Sequence, residues 1–119
     1  MNSQEQAIGF TKGAPFSNGY VSGDTLYIAG QQGKVTGTDI RQQTTNAIAA
    51  VRQVAEEAGF RMSDIVSVTI YITEMKDVPT MNEVYNQLMP DPKPARAAVQ
   101  VAGLIGGAKI EISAIAVNH

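Results

Sequence analysis

The chain closes on two strand-like runs, KPARAAVQVAG at residues 93–103 and KIEISAIAV at residues 109–117. Both are rich in β-branched and small apolar residues, and the glycine-rich connection Gly103–Gly107 predicts that they form one hairpin-like pair. Each run carries one charged residue that an apolar strand could avoid, Arg96 in the first and Glu111 in the second. Because side chains alternate along a strand, each charge lies on one face of its strand.

Two interpretations of these charges are open. In the first, Arg96 and Glu111 form an ordinary ion pair between neighbouring strands or at a subunit contact. In the second, they are functional groups. On two isolated residues the first interpretation is preferred, since a short motif by itself is only a hypothesis. The rest of the chain has to decide between them.

The composition is that of a soluble globular protein. A chain of 119 residues is long enough for one domain with its own core, and we expect a single domain over residues 1–119. The hydrophobic fraction is 44% and the charged fraction 17%, which leaves some surface for burial in an oligomer. The net charge is -2 and the nine Lys and Arg residues are scattered, which disfavours nucleic acid and anionic membranes as partners.

The residue types present also restrict the chemistry. The absence of cysteine excludes disulfides, thiolate catalysis and Cys-ligated metal. The single histidine is His119, which we expect to be a frayed terminal side chain, so a Ser/His/Asp triad, a catalytic His pair and a multi-His metal site are disfavoured. No signal-like start and no segment of membrane-spanning length is visible, which predicts a cytoplasmic protein. Chemistry must then use carboxylates, arginine, tyrosine, hydroxyls, backbone groups and water.

Short strands dominate the first third of the chain. Three are predicted, at Ala7–Thr11, Tyr20–Ser22 and Thr25–Ala29. The last two flank Gly23-Asp24, a typical tight hairpin turn. Strand character ends at residues 30–33, where Gly30 permits a bulge or a close backbone approach. Phe16 lies in the turn-rich loop after the first strand, where an aromatic side chain more often covers the core edge than contacts a ligand.

A long helix and a strand are predicted next. Asp39 followed by Gln42 resembles a capping box, and apolar residues then recur every three or four positions until Gly59 ends the helix. Residues 63–73 alternate between apolar and polar, which is typical of a strand. Its apolar face is formed by Val66, Val68, Ile70 and Ile72.

A second helix begins at Asp77, with Pro79 in its first turn. Its apolar stripe consists of Met81, Val84, Tyr85 and Leu88. Three prolines within residues 90–94 must end this helix, because proline lacks the backbone N–H and clashes with the preceding turn. The chain then enters the strand that carries Arg96.

The order of elements predicts an α+β fold, a two-layer sandwich of a mixed β-sheet with two helices on one face. The other face of this sheet would carry Thr, Ser, Tyr, Gln and Ala beside Ile115 and Val117. This face is too apolar to be fully exposed to water and too polar to form a hydrophobic core. Packing of sheets across the subunits of a closed ring would resolve this.

Four segments of the chain resemble the RidA (YjgF) enamine/imine deaminases, in the family's order and over nearly the whole length. They are Leu26–Gln31, Asn82–Tyr85, Lys93–Ala102 and Ile110–Ala116. The resemblance implies a chorismate-mutase-like α+β fold and a homotrimer. In such a trimer the sheets pack into a central barrel, and three clefts lie between subunits.

The resemblance also implies an activity and a site. The activity is hydrolysis of reactive enamines and imines, of the 2-aminoacrylate/2-iminopropionate type, to 2-keto acids and ammonia, as in a 2-iminobutanoate/2-iminopropanoate deaminase, without metal or cofactor. Arg96 would hold the substrate carboxylate and Glu111 would handle a water molecule. The other pocket positions implied are Phe16, Ala29, Gly30 and the backbone around Ala98.

The chemistry of the residues agrees with these roles. The guanidinium of Arg96 can bind a carboxylate through two parallel hydrogen bonds, which lysine cannot reproduce. A partly desolvated Glu111 can transfer protons between water and the imine nitrogen. Because hydrolysis of an imine is intrinsically easy, a pocket that orients substrate and water suffices.

The chain departs from the family pattern at the pocket and its rim. Phe16 stands where many members have tyrosine, so a hydroxyl is missing. Ser113 replaces a frequent second glutamate, which leaves Glu111 alone in the carboxylate role. Gly103–Gly107 stands where Arg-Leu-Pro-Lys-Asp is common, and the Gln32–Asp39 loop is shorter than usual. These departures predict a divergent subgroup.

Two other functions compete with the deaminase. A non-catalytic trimer could use the same cleft to hold a small carboxylate ligand, and the residues Phe16 and Ser113 favour this alternative. Some relatives carry ribonuclease and translation-inhibitor labels. The scattered basic residues, the lack of a His pair and the net charge of -2 argue against RNA cleavage here.

Overall fold

The computed structural model describes residues 5–33 and 38–118. Within them lie six strands and two α-helices. The strands are β1 (Glu5–Ile8), β2 (Gly19–Ser22), β3 (Thr25–Gln32), β4 (Ile65–Ile72), β5 (Ala95–Gln100) and β6 (Ile110–Val117), and the helices are α1 (Ile40–Glu57) and α2 (Val78–Leu88). The expected frayed end at His119 and the middle of the Gln32–Asp39 loop lie outside the described residues.

The strands form one sheet in the order β1-β2-β3-β6-β4-β5. Strand β4 pairs with β5 in parallel, and the other neighbours are antiparallel. Because parallel strands need a crossover, α2 serves as the connection from β4 to β5. Helix α1 packs on β3 and β6 and against α2. The predicted α+β fold, a mixed sheet with two helices, is confirmed.

The predicted hairpin-like pairing of the last two strands is wrong. Strand β4 lies between β5 and β6 and bonds to both. The burial of the strands gives the physical reason. In β6 the residues Ile110, Ile112, Ala114 and Ala116 are buried, which suits a central position, whereas β5 is exposed along its whole length and forms the sheet edge.

Two smaller predictions also need correction. Val66 was expected on the apolar face of β4, but it is 42% exposed. The pairing with β6 shifts between Ile65 and Ser67, so Ile65 is buried in its place. Strand β3 does not end before Gly30, since it continues to Gln32 beyond a bulge.

The hairpin and both helices form where the sequence predicts them. Strands β2 and β3 are joined across Gly23, whose φ of 63° lies in the region that glycine adopts without strain. The Asp39 side chain accepts a hydrogen bond of 2.9 Å from the Gln42 backbone N–H, which caps α1. Neither described helix has the length and apolar character that crossing a membrane requires.

The apolar stripe of α2 faces the core. Met81 and Tyr85 are among the buried side chains of the hydrophobic cluster, Val84 is buried, and Leu88 packs against the cluster from a half-buried position. Pro79 lies in the first turn, as predicted, but Asp77 makes no side-chain hydrogen bond to the backbone of α2. The two helices therefore begin differently.

This difference gives a test of the first cap. Replacement of Asp39 by alanine should lower the free energy of unfolding by about 1 kcal/mol, because the Gln42 N–H loses its acceptor. Asp77→Ala removes a similar charge from the start of α2 without removing such a bond, so its loss should be smaller. Urea denaturation of both variants measures the difference. Equal losses would contradict the assigned role of Asp39.

Candidate functional site

A cleft of about 340 Å³ lies at the end of β3, beside the loop that follows β5. Its lining residues are Phe16, Asn18, Ala29, Gly30, Gln31, Gln32, Ile105 and Glu111. Four of the six predicted site residues therefore meet here: Phe16, Ala29, Gly30 and Glu111. The other two, Arg96 and Ala98, lie elsewhere in the chain.

A bulge in β3 shapes this cleft. The pairing of β3 with β6 shifts between Ile28 and Gln31, and beyond the shift Gln32 pairs with Glu111. At the bulge, Gly30 lies directly against the Glu111 side chain, and a Cβ atom on Gly30 would come within 2.6 Å of the Glu111 Cδ atom. Of the two alternatives predicted for Gly30, a bulge or a close backbone approach, the bulge is confirmed, and a side chain rather than another backbone approaches the glycine. Glycine is required here because Glu111 occupies the space of a side chain.

The Glu111 carboxylate is half-buried and has one side-chain donor among the described residues. Gln32 Nε2 donates a hydrogen bond of 2.9 Å to Glu111 Oε1. The same nitrogen donates to the backbone oxygen of Ile105 at 3.0 Å. The sequence interpretation missed Gln32 because it ended β3 too early. The bulge predicted at Gly30 was the signal that the strand continues and brings Gln32 opposite Glu111.

Apolar side chains form the rim of the cleft. Phe16 is 62% exposed and Ile105 is 89% exposed. Ile105 lies in a turn in which Gly106 and Gly107 have φ of 75° and 74°. The backbone of Ala29 contributes a fixed polar element, since its N–H donates to the Asn18 carbonyl at 2.9 Å and its carbonyl accepts from Gln31 Nε2 at 3.0 Å. The cleft thus joins a carboxylate and amides to an apolar rim.

Arg96 and Glu111 lie on opposite faces of the sheet. Arg96 pairs with Val68 and Ala98 with Ile70, and both partners are buried on the face that the helices cover. Glu111 alternates with the buried Ile110 and Ile112, so it points to the other side. We call this other side the open face. Its central strands carry half-buried residues that are polar except for one isoleucine: Ser67, Thr69, Tyr71, Glu111, Ser113 and Ile115.

An ion pair between neighbouring strands of one chain, the preferred first interpretation of Arg96 and Glu111, is therefore wrong. Strand β4 separates the two strands, and the charges face different sides. Ser113 lies on the open face opposite Thr69 and outside the cleft lining. A contact between Arg96 and Glu111 of two different copies is compatible with this geometry.

Arg96 lies against α2. Its guanidinium carbon is 4.8 Å from the centre of the Tyr85 ring, and its Nη1 atom is 4.0 Å from the Met81 sulfur. Burial raises the pKa of the Tyr85 phenol above its usual value, and the positive charge of Arg96 opposes this increase. Within residues 5–33 and 38–118, no carboxylate forms an ion pair with Arg96. The guanidinium is thus positioned on an aromatic ring, and apart from the contact of Nη1 with Met81 its donors have no hydrogen-bond partner among the described residues.

Helix α2 also carries two buried polar atoms that lack a hydrogen-bond partner in the described part of the chain. They are Asn82 Oδ1 and Tyr85 Oη. Buried polar atoms of this kind usually find a partner in water, a ligand or another chain. No group of three or more His, Cys, Asp or Glu side chains is placed to hold a metal ion among the residues described.

The family model described as endoribonuclease L-PSP matches residues 7–118 of this chain. The chain belongs to the RidA (YjgF) family. A RutC family protein of Pyrococcus horikoshii is 38% identical over 108 residues, covering 86% of each chain. A 2-iminobutanoate/2-iminopropanoate deaminase of Dermatophagoides farinae is 37% identical over 110 residues, covering 87% of this chain and 85% of the relative. The resemblance inferred from the sequence is confirmed.

Solved RidA-family structures share the fold. RidA of the Antarctic bacterium Psychrobacter sp. PAMC 21119 superposes with a TM-score of 0.87 at 30% identity, over 94% of this chain and 98% of that one. Escherichia coli TdcF, in a structure with bound serine, superposes with a TM-score of 0.85 at 33% identity, over 95% and 94% of the two chains. The sheet and helices described above are therefore those of the family.

The contact between Gly30 and Glu111 can be tested in this RidA-family chain by adding one methyl group. Gly30→Ala should displace the Glu111 carboxylate from Gln32 and cost about 1–3 kcal/mol of stability, because the new Cβ overlaps the Glu111 side chain. A crystal structure of the variant would show the displacement. Gly103→Ala is the matched control, since a Cβ there meets no atom within 4 Å. An unmoved Glu111 in Gly30→Ala would contradict the contact.

Proposed function

We propose that this protein hydrolyses small 2-imino acids and their enamine tautomers to 2-keto acids and ammonia, as a 2-iminobutanoate/2-iminopropanoate deaminase without metal or cofactor. The observation that carries the proposal is the cleft in which the Glu111 carboxylate meets Gln32 and an apolar rim. Relatives that carry this deaminase name support it, one of them 37% identical to this chain. The serine bound to TdcF is a ligand of the same general class, a small molecule with a carboxylate.

We further propose that the site forms between two copies of the chain, in a homotrimer. A site that uses both Arg96 and Glu111 cannot be built within one chain, because the two side chains lie on opposite faces and β4 separates their strands. The open face supports an assembly, since Tyr27 and Val99 are exposed on it. So does α2, where Tyr85 Oη has no partner among the described residues.

Arg96 has the role of the carboxylate clamp. Two parallel N–H donors of its guanidinium bind the two oxygens of the substrate carboxylate, and the Tyr85 ring holds the guanidinium plane in place. The orientation that results presents C2 of the imino acid to water. Ala98 follows two residues later on the same face of β5, where its backbone and small side chain leave room for the substrate.

Glu111 has the role of the acid and base. As water attacks C2, the carboxylate accepts a proton from it, and a C–O bond forms while the C=N double bond becomes single. Glu111 returns this proton to nitrogen, which gives a neutral carbinolamine with an NH2 group. Glu111 then transfers the hydroxyl proton to the same nitrogen, so that the C–N bond breaks and ammonia leaves as the C=O bond forms. The products are a 2-keto acid and ammonia. Phe16, Ala29 and Gly30 enclose this step as an apolar lid and a fixed wall.

The modest set of catalytic groups fits the reaction. An imine reacts with water without help, so the protein has to supply orientation and one proton carrier rather than a strong nucleophile. Phe16 contributes no hydroxyl, and Ser113 lies outside the cleft. Glu111 therefore acts with Gln32 as its only described side-chain partner.

Replacement of Arg96 tests the clamp. Arg96→Ala should lower the acceleration of ammonia release from enzymatically generated 2-iminopropionate by about 100-fold, since a bidentate charged contact is lost. Arg96→Lys should recover only part of the rate, because an ammonium group cannot bind both oxygens in parallel. Size-exclusion chromatography should show the assembly unchanged.

Arg52→Ala is the control for this experiment, because Arg52 is an exposed residue of α1 away from the cleft. Its rate should equal that of the unmodified protein. Full activity of Arg96→Ala in a folded assembly would overturn the deaminase assignment.

A non-catalytic binding protein is the second candidate, favoured by the missing hydroxyl at Phe16 and the serine at position 113. A pure binder would bind pyruvate through Arg96 and show no acceleration of ammonia release. RNA cleavage is named in the description of the matching family model. It would have to survive repurification and be lost in Arg96→Ala, and the net charge of -2 gives no electrostatic support for it.

A further inference from the structure

Gln32 is a polar residue of the cleft that contacts Glu111, and the mechanism above assigns it no step. It ends β3 beyond the bulge, pairs with Glu111 across the strands and is half-buried. Its side chain links two parts of the site, the Glu111 carboxylate and the Ile105 turn. We propose that Gln32 is a positioning residue. It fixes the orientation of the Glu111 carboxylate and the position of the Ile105 turn at the rim of the cleft. The inference rests on the proposed function.

The hydrogen bonds of the amide give the first argument. The side-chain nitrogen of glutamine carries two hydrogens, and both have acceptors here. One reaches Glu111 Oε1 at 2.9 Å and the other the Ile105 carbonyl at 3.0 Å. Nε2 therefore has no hydrogen left for a substrate. Gln32 acts on the reaction through Glu111 rather than by binding the imino acid.

The second argument is that the two carboxylate oxygens of Glu111 have different surroundings. Oε1 is held by the amide, and Oε2 lies in the space that the missing side chain of Gly30 leaves. The hydrogen bond from Gln32 and the contact with the Gly30 backbone thus define the plane of the carboxylate. Oε2 remains the oxygen with capacity to accept the proton of the attacking water.

The third argument concerns the turn after β5. Gly106 and Gly107 adopt left-handed backbone conformations, and Ile105 beside them is almost fully exposed. A turn of this kind has little side-chain packing of its own. The bond from Gln32 to the Ile105 carbonyl ties it to the sheet, at the same atom that holds Glu111. The position of the apolar rim and the orientation of the acid/base are therefore coupled.

Gln32→Met tests this role, because methionine has a similar length and shape but no N–H donor. We expect the rate of ammonia release to fall by about 10-fold to 100-fold, with the dissociation constant for pyruvate changed by less than about 2-fold. A crystal structure of the variant should show Glu111 in more than one orientation. Gln42→Met is the matched control, since Gln42 donates to Asn46 on the outer surface of α1 and lies outside the cleft.

A double-mutant cycle separates positioning from a general loss of structure. If Gln32 acts through Glu111, Gln32→Met should lower the rate much less in a Glu111→Gln background than alone. Equal losses in both backgrounds, an unchanged rate, or a fixed Glu111 in the variant structure would each overturn the proposal. If Gln32→Met does not fold, Gln32→Asn, which keeps the amide but is one methylene shorter, should show the same selective loss of rate.

The unmodified protein distinguishes this inference from the proposed function. Failure of the unmodified protein to accelerate ammonia release overturns the deaminase assignment and the role of Gln32 with it. An active unmodified protein combined with an equally active Gln32→Met overturns the role of Gln32 alone.

Discussion

The alternation of β6 is the constraint on which the rest of the structure depends. One face of β6 is buried, and this strand lies inside the sheet with a partner on either side. The buried residues are Ile110, Ile112, Ala114 and Ala116. The same alternation sends Glu111 to the open face. Since Arg96 lies on the edge strand and against α2, the central position of β6 decides that the two charges are separated within one chain.

In our proposal, this separation means that a second copy completes the site of a chain with few catalytic side chains. Each copy carries two separate parts of the proposed site. One part is the Arg96 guanidinium on the Tyr85 ring, and the other is the Glu111 carboxylate bound by the Gln32 amide. A small imino acid needs one contact for its carboxylate and one proton carrier for water, and these are the two groups that the two parts offer. In our proposal, assembly brings them together.

Local signals in the sequence predicted the local structure well. The cap at Asp39, the hairpin turn at Gly23 and the bulge at Gly30 each rest on a residue whose chemistry leaves few alternatives. The pairing of β5 and β6 failed because a glycine-rich connection resembles a hairpin, while the choice of neighbour depends on the burial of the whole strand. The prediction that Val66 lies on the apolar face of β4 was wrong for a related reason. A register shift between Ile65 and Ser67 places Ile65, and not Val66, on the buried face.

The residues of the candidate site likewise include some that the sequence predicted and some that it did not. Phe16, Ala29, Gly30 and Glu111 were predicted from the family resemblance, and they line one cleft. Gln32 was missed, because its contacts depend on the register beyond the bulge and on a hydrogen bond to the Ile105 turn, 73 residues later in the chain. No pattern of spacing along the chain carries that information. In our proposal, the relation of Arg96 to this cleft likewise depends on assembly and not on one chain alone.

The most direct test of the central claim is complementation between two inactive variants. Arg96→Ala and Glu111→Gln chains, carrying different affinity tags, are produced together, and assemblies containing both are purified. If each site takes Arg96 from one copy and Glu111 from another, each mixed trimer regains one of its three sites, so roughly a third of the full rate of ammonia release returns. Mixed assemblies that remain as inactive as either parent would contradict a site shared between copies.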